Sequence, residues 1–375
     1  MSDKRKSIFP IFLLLVLLAI MAGMVFVTYQ TRQVYGFPGA SLNKLSILKN
    51  GLILFRGREA MQAFSSSDSL QEEKVTVEAG QPIQKLCANL EAQQLVPSGS
   101  LTCAYLVYSG KDRNIQPGNY TIPSGLNAIE IADLVADVNR RDKQFVIYPG
   151  WRLEEVAEMV GGLGLPFGKE EFFAMAMNPS ENLRALLEIP QGKNLEGFLF
   201  PGAYSVKPDI TLERLIEEIL TRFKTQVLTE EFRSNLGTCG LTLYEAVTMA
   251  SIIQRETLAE EEMATIASVF YNRLAINMFL ETDPTVQYAI GYNVSNETWW
   301  KSPLTYDDLE INSPYNTYRN PGLPPGPISN PDLAALKAAV APADTDYLFF
   351  RAKCDGSATH NFSTTYEEHL NFGCE

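Results

Sequence analysis

Apolar and polar positions change rhythm along this chain, and each rhythm predicts a different kind of element. Residues 8–27 form a run of 20 without a charge, long enough to cross a bilayer as one helix. Residues 29–72 read as a linker with some structure. Apolar residues there flank Asn50-Gly51, the favoured two-residue hairpin turn, and Ser65-Ser66-Ser67-Asp68-Ser69 reads as a flexible break. From residue 73 onward, period-two and 3.6-residue patterns alternate. Lys74-Val75-Thr76-Val77 alternates as a strand does, and Ile83, Leu86, Cys87 and Leu90 share one helical side. Gly118-Asn119-Tyr120-Thr121-Ile122 reads as a turn into a strand, and Ile129, Ala132 and Val135 mark a second helix over 128–138. Residues 73–143 are therefore expected to form a small α+β domain.

Residues 144–375 predict a larger, mixed α/β domain, which makes the chain α+β as a whole. A strand at 144–148 ends at Pro149-Gly150, and helical patterns run over 153–159 and 212–223. Between those helices, Leu195-Glu196-Gly197-Phe198-Leu199-Phe200-Pro201-Gly202-Ala203-Tyr204 is too rich in Gly and Pro for a helix and suits the wall of a cleft. The next helix opens at Thr242, where Thr242 and Glu245 fit a capping box. Leu243, Ala246, Val247, Ala250 and Ile253 recur at helical spacing and face a core. Glu245, Met249, Ile252 and Glu256 form another stripe at the edge of that face. Glu260-Glu261-Glu262 reads as a turn or the acidic first turn of a following helix, which continues through Met263, Ile266, Ala267, Phe270 and Leu274. Pro, Gly, Asn and Tyr then dominate 313–327, which rules out regular structure. A helix over 332–340 with Asn330 or Ser329 as its cap, a strand at 347–351 and a helix near 364–370 complete the pattern.

The edge stripe singles out Glu256. A carboxyl neither in the core nor fully solvated has a raised pKa, as a general acid requires. A solvated helical glutamate is the plainer reading of the same position. Two-carboxyl glycosidases place their pair roughly 5–10 Å apart. Glu245 shares the stripe, but eleven residues of helix put it about 16 Å away. A second acid must come from elsewhere, with Glu196 and Asp283 the candidates. Thr282 and Asp283 also suit the cap of the helix after Pro284, and Arg273 suits an ion pair with Asp283.

Composition narrows the partners. The net charge of −13 excludes a nucleic-acid binder, which needs a basic surface. Aromatic content of 10% is high enough to supply stacking surfaces for sugars. Only two histidines, His360 and His369, are present, and no CxxC spacing occurs, so neither a zinc site nor a Ser–His–Asp triad is expected. Lys4, Arg5 and Lys6 before the apolar run keep the N-terminal tail (1–7) in the cytoplasm and the bulk of the chain outside. A cleaved signal peptide is the alternative. The run exceeds the usual signal core, and Ala19 and Ala22 make no convincing cleavage site, so an uncleaved anchor over 8–28 is expected. All five cysteines follow that span, where disulfides persist. Proximity pairs Cys87 with Cys103 and Cys354 with Cys374, leaving Cys239 free.

Two resemblances follow from these segments. Residues 73–143 resemble a LysM-like peptidoglycan-binding domain. More specifically, LEGFLFP at 195–201, ASIIQRET at 250–257, ASVFYNRL at 267–274, TDPTVQY at 282–288, SPYNTYRNPGLPPGPISNP at 313–331 and DYLFF at 346–350, in that order, resemble the YceG-like (MltG-type) endolytic murein transglycosylases. The likeness spans roughly 73–372. It implies an enzyme that cuts the β-1,4 bond between N-acetylmuramic acid and N-acetylglucosamine inside peptidoglycan glycan strands, with no cofactor and no metal. Glu256 would protonate the leaving oxygen, then take the proton of the muramic C6 hydroxyl as it closes a 1,6-anhydro ring. Because the nucleophile belongs to the substrate, no second carboxylate is needed to activate water. Glu196, Tyr204, Arg273, Asp283, Tyr315, Asn316, Thr317 and Tyr318 are the expected substrate-binding residues. The family further implies cytoplasmic-membrane anchoring and work beside cell-wall synthases, ending nascent strands.

The chain departs from the family in three places, one of them the segment 29–72, which is longer than the resemblance implies. Relatives often carry Asp-Thr where this chain has Gly202-Ala203, and many carry a glutamate at Gln254, which reads here as helix support. A hydrolase of the same glycan, with Asp283 or Glu196 activating water, and a non-catalytic wall-binding scaffold are the competing functions.

Overall fold

A computed structural model describes residues 8–63 and 72–373. The basic residues Lys4, Arg5 and Lys6, the serine-rich break at 65–69 and Cys374, hence the Cys354–Cys374 pairing, lie outside the described residues. The chain parts into two compact units between Lys143 and Gln144.

In the first unit, the helix Ile8–Tyr35 contains a stretch, Ile11–Tyr35, long and apolar enough to cross a membrane. The helix Lys44–Arg56 packs on it, with Asn43 accepting the Ser46 N–H at 2.8 Å as its cap. The hairpin expected at Asn50-Gly51 is therefore corrected: both residues lie inside this helix. Gly51 is buried facing Thr31, whose hydroxyl donates to the Gly51 carbonyl at 3.1 Å. Burial between two helices outweighs the turn preference of the dipeptide.

Strands Glu73–Val77 and Gly118–Ile122 pair antiparallel with Val75 opposite Tyr120. Two helices separate them in the chain, Ile83–Ala92 and Gly99–Ser109, tied by the expected disulfide Cys87–Cys103 with Cα atoms 5.8 Å apart. Only the first of these helices was legible. The second buries Thr102, Ala104, Tyr105, Leu106 and Tyr108 on several sides, so no amphipathic rhythm announces it. The helix Ala128–Ala136 closes the unit, opened by a capping box between Asn127 and Glu130.

The second unit is mainly helical around one core. A two-stranded sheet joins Lys143–Ile147 to Gly202–Val206, and another pairs Phe349–Ala352 with His360–Ser363, Phe350 opposite Phe362. The expected helices appear as Leu153–Gly161, Leu212–Val227, Leu243–Glu256, Glu260–Ala275, Asp283–Ile290, Leu333–Val340 and Tyr366–Asn371. Lys169–Met177 and Glu230–Cys239 add helices that the apolar pattern did not mark. The Leu333–Val340 helix is capped by Asp332, which accepts the Ala335 N–H at 2.9 Å, rather than by Asn330 or Ser329. Cys239 is free.

Candidate active site

The Leu243–Glu256 helix opens with Thr242 and Glu245 exchanging the capping bonds expected of them. Its middle departs from the expected single apolar face. Every residue from Ala246 to Gln254 is buried, Met249 and Ile252 included, while Glu245 stays exposed. The helices Leu333–Val340 and Glu260–Ala275 pack on it, and the proline-rich segment covers what they leave. The stripe read as an edge therefore runs through the core and emerges at Glu256, the last helical residue, which is half-buried.

The proline-rich segment is locked to that helix just before Glu256. The Ser251 hydroxyl accepts the Ile328 N–H at 3.0 Å, and the Ser251 carbonyl accepts from the Ser329 hydroxyl at 3.1 Å. Gln254 accepts the Asp332 N–H at 2.8 Å, the helix-supporting role read from its position. Asn330 accepts the Leu199 N–H at 2.9 Å and donates to the Trp151 carbonyl at 3.0 Å. Gly197 makes this convergence possible. Its φ is +85°, and a Cβ there would stand 2.5 Å from Pro327 Cβ and 2.7 Å from Val247 Cγ1.

Burial sets the chemistry of Glu256. Desolvation first, and the Asp283 carboxylate second, push its carboxyl up to about 8, against the opposing pull of Arg273 and Arg255. The helix C-terminus acts in the same direction, since its carbonyl dipoles disfavour a carboxylate. Near neutral pH Glu256 therefore holds its proton and can deliver it. Asp283 accepts a hydrogen bond from the Tyr318 hydroxyl at 2.7 Å, and burial, that bond and the nearby carboxylates hold the phenol well above its usual range. Arg273 is buried. Its Nε donates to the Leu348 carbonyl and its Nη1 to the Leu280 carbonyl, both at 2.7 Å. Its ion pair is with Glu281 at 3.9 Å, not with Asp283. Glu256, Arg273, Asp283 and Tyr318 thus share one electrostatic cluster.

The other expected substrate contacts are placed differently. Asn316 and Thr317 are fully buried, and their polar atoms are spent on the fold. Asn316 Nδ2 donates to the carbonyls of Leu309 (2.7 Å) and Ile311 (3.0 Å). Thr317 Oγ1 accepts the Thr282 N–H at 3.0 Å and bonds the Thr285 hydroxyl at 2.8 Å, fixing the loop that presents Asp283. Thr282 occupies the cap position of the Asp283–Ile290 helix without a side-chain cap bond, because its hydroxyl joins this threonine cluster. Tyr204 lies in the core, stacked on Phe145, with its hydroxyl donating to the Phe200 carbonyl. Glu196 is buried as well. Both its oxygens accept the Leu153 N–H, at 3.1 and 3.2 Å, at the start of the Leu153–Gly161 helix, and burial raises its carboxyl to about 8. The polar groups of these four support the walls. Tyr315 remains half-buried, packed on Tyr288 with centroids 4.8 Å apart.

Comparison with known proteins identifies the scaffold. A model of the YceG-like family matches residues 75–372. The chain belongs to the YceG-like family. It is 32% identical over 316 residues to the endolytic murein transglycosylase of Bacillus subtilis, covering 80% of this chain and 84% of that protein. It is 28% identical over 323 residues to the endolytic murein transglycosylase of Streptococcus pneumoniae serotype 2, covering 79% of this chain and 56% of that protein. A crystal structure of a yceG-like protein from Listeria monocytogenes matches at a TM-score of 0.56 with 32% identity, over 81% of this chain and 100% of the other.

Around the site, this YceG-like chain also gathers residues that the motif reading passed over. Arg255 lays its guanidinium 3.8 Å from the Trp300 ring centroid. Arg152, which is buried, lies 4.1 Å from the Tyr288 ring and 4.7 Å from that of Trp299. The signal was available in composition. The chain has three tryptophans, and all three, Trp151, Trp299 and Trp300, belong to this neighbourhood. Spacing alone could not join Trp151 to a pair 148 residues later.

Proposed function

We propose that this chain is an endolytic peptidoglycan lytic transglycosylase, with Glu256 as acid and then base. The carrying observation is the Glu256 carboxyl, raised to about 8 at the end of a buried helix. Protonated Glu256 gives its proton to the glycosidic oxygen as the bond from muramic C1 to that oxygen breaks. The C6 hydroxyl of the same sugar then attacks C1 and returns its proton to the Glu256 carboxylate. The products are a 1,6-anhydro end and a new free hydroxyl on the leaving strand, with no water consumed. Arg273, Asp283, Tyr315 and Tyr318 are the proposed wall of the cleft. Glu196, Tyr204, Asn316 and Thr317 hold that wall in position.

The wider organisation belongs to the same proposal. Residues 1–7 form a cytoplasmic tail and 8–28 a membrane anchor, and the segment 29–72 that follows carries the packed helix Lys44–Arg56. Residues 73–143 form a LysM-like module, and 144–375 carry catalysis outside the cytoplasmic membrane. The paired strands and packed helices of 73–143 support the LysM-like reading. Anchoring confines the enzyme to newly made glycan, where it ends nascent strands beside the synthases.

Mass spectrometry of glycan strands digested by the full chain in detergent tests the chemistry, beside its Glu256→Gln variant. Internal cuts with anhydro ends that require Glu256 are expected. Hydrated reducing ends would replace the reading with a hydrolase, for which Asp283, beside Glu256, is the available base. No cleavage by a folded wild-type chain would refute the enzyme and leave a wall-binding role.

A further inference from the structure

A cavity of about 840 Å³ is lined by the Trp151, Tyr292 and Trp299 rings and by Met159 and Leu163. Glu256 does not line it. A short chain of contacts connects the two. Arg255, the neighbour of Glu256, stacks on Trp300, and Trp300 Nε1 donates to Glu155 at 3.3 Å. Glu155 lines the cavity.

Its carboxylates are already engaged. Glu154 pairs with Arg152 at 3.1 Å, Glu155 accepts the Arg152 N–H at 2.9 Å, and Glu158 pairs with Lys169. Glu154, Glu155 and Glu158 are offset by Arg152, Lys169 and the adjacent Arg255, so the wall has little net charge for an ionic ligand. It offers aromatic faces with hydrogen-bonding groups at their rims. The rings are held in place: Trp299 by Arg152 and by Tyr292 (centroids 5.1 Å apart), and Trp151 by Tyr148 (5.0 Å). Tyr292 remains 47% exposed, so its ring is open to a ligand. Neutral pyranose rings have this complementary chemistry, with C–H faces for stacking and equatorial hydroxyls for the rim. The volume is that of a small-molecule site.

We infer that the Trp151–Tyr292–Trp299 cavity is a separate saccharide-binding site that grips the glycan strand away from the scissile bond. The inference rests on the glycan-cleaving reading for its biological ligand, but binding can be measured without cleavage. A strand held at both places lies along the enzyme before it is cut, which favours cuts inside long strands over cuts at ends.

All three tryptophans of the chain lie at this wall or touch it, so intrinsic fluorescence reports it directly. The probe is a β-1,4-linked N-acetylglucosamine hexamer, titrated into the full-length Glu256→Gln protein in detergent. A saturable spectral shift is expected, and Tyr292→Ala, which keeps every tryptophan, should weaken binding about tenfold, about 1.4 kcal/mol. Trp299→Ala should weaken it similarly by calorimetry, with unchanged melting showing that each variant is folded. Binding that both variants leave intact, or no response to the hexamer while the wild type still cleaves strands, would overturn the inference and spare the catalytic reading. A response only to peptide-bearing strands would make the occupant a peptide and likewise overturn it. Hexamer binding that both variants weaken, alongside a wild-type chain that cleaves no strands, would uphold the site and refute catalysis instead.

Discussion

Replacing Glu256 by Gln should stabilise this protein near neutral pH while abolishing cleavage. The unfolded chain releases the Glu256 proton near 4.5, whereas the folded protein holds it up to about 8. The folded state therefore binds more protons between those values, and stability falls as pH rises through them. Full ionisation above 8 costs on the order of 5 kcal/mol, and at pH 7 the cost is still about 3 kcal/mol. A neutral amide of the same shape escapes this cost. At pH 5 the two proteins should differ by less than about 1 kcal/mol. Melting temperatures for a unit of this size move by roughly 2–4 °C per kcal/mol, so the variant should melt roughly 6–12 °C higher at pH 7, as an upper bound. Thermal denaturation of both full chains in detergent, at intervals from pH 5 to 9, makes the comparison. Because Glu196 titrates in both proteins, the difference between them isolates Glu256. Equal melting at pH 5 and pH 7, or a variant less stable than wild type at pH 7, would refute the reasoning that burial lifts this carboxyl.

Substitutions at three further positions probe the surroundings. Asp283→Asn removes the charge that raises Glu256, so the alkaline fall of kcat/KM, expected near pH 8 in the wild type, should move to lower pH; an unmoved limb would show the two carboxyls are not coupled. Asn316→Ala leaves the Leu309 and Ile311 carbonyls without their donor and should cost about 2–3 kcal/mol in denaturant unfolding, whereas a stability change within about 0.5 kcal/mol would return Asn316 to a direct role with substrate. Glu196 is also raised to about 8, so its contribution likewise falls as pH rises from the ordinary carboxyl range; Glu196→Gln should flatten that slope and keep an acceptor for the Leu153 N–H, while Glu196→Ala should lose about 1–3 kcal/mol, and equal melting of the two variants would count against the capping role.

Local rules carried much of the architecture. The charge-free run at 8–27, the Thr242–Glu245 capping box, the Gly118–Ile122 strand and the helix ending at Glu256 depend on neighbours within a few residues, and such patterns survive in one dimension. The family was equally legible, because long motifs such as the one at 313–331 carry identity residue by residue. Tertiary packing decided the rest. Asn50-Gly51 became helix because a second helix buried Gly51, an outcome its own neighbours do not encode. The burial of Asn316 and Thr317 was not legible, since polar residues in an irregular segment read as exposed until the backbone groups that bond them are known. Glu256 was visible as a carboxyl at helical spacing. Its proton affinity depends on how much water the surrounding elements exclude and on which charges they bring near it from residues 273 and 283. The tryptophan wall shows the same limit, for its rings come from segments almost 150 residues apart in sequence. Sequence specifies which groups are present and which short-range geometry they adopt; burial and long-range electrostatics exist only once the chain has folded around them.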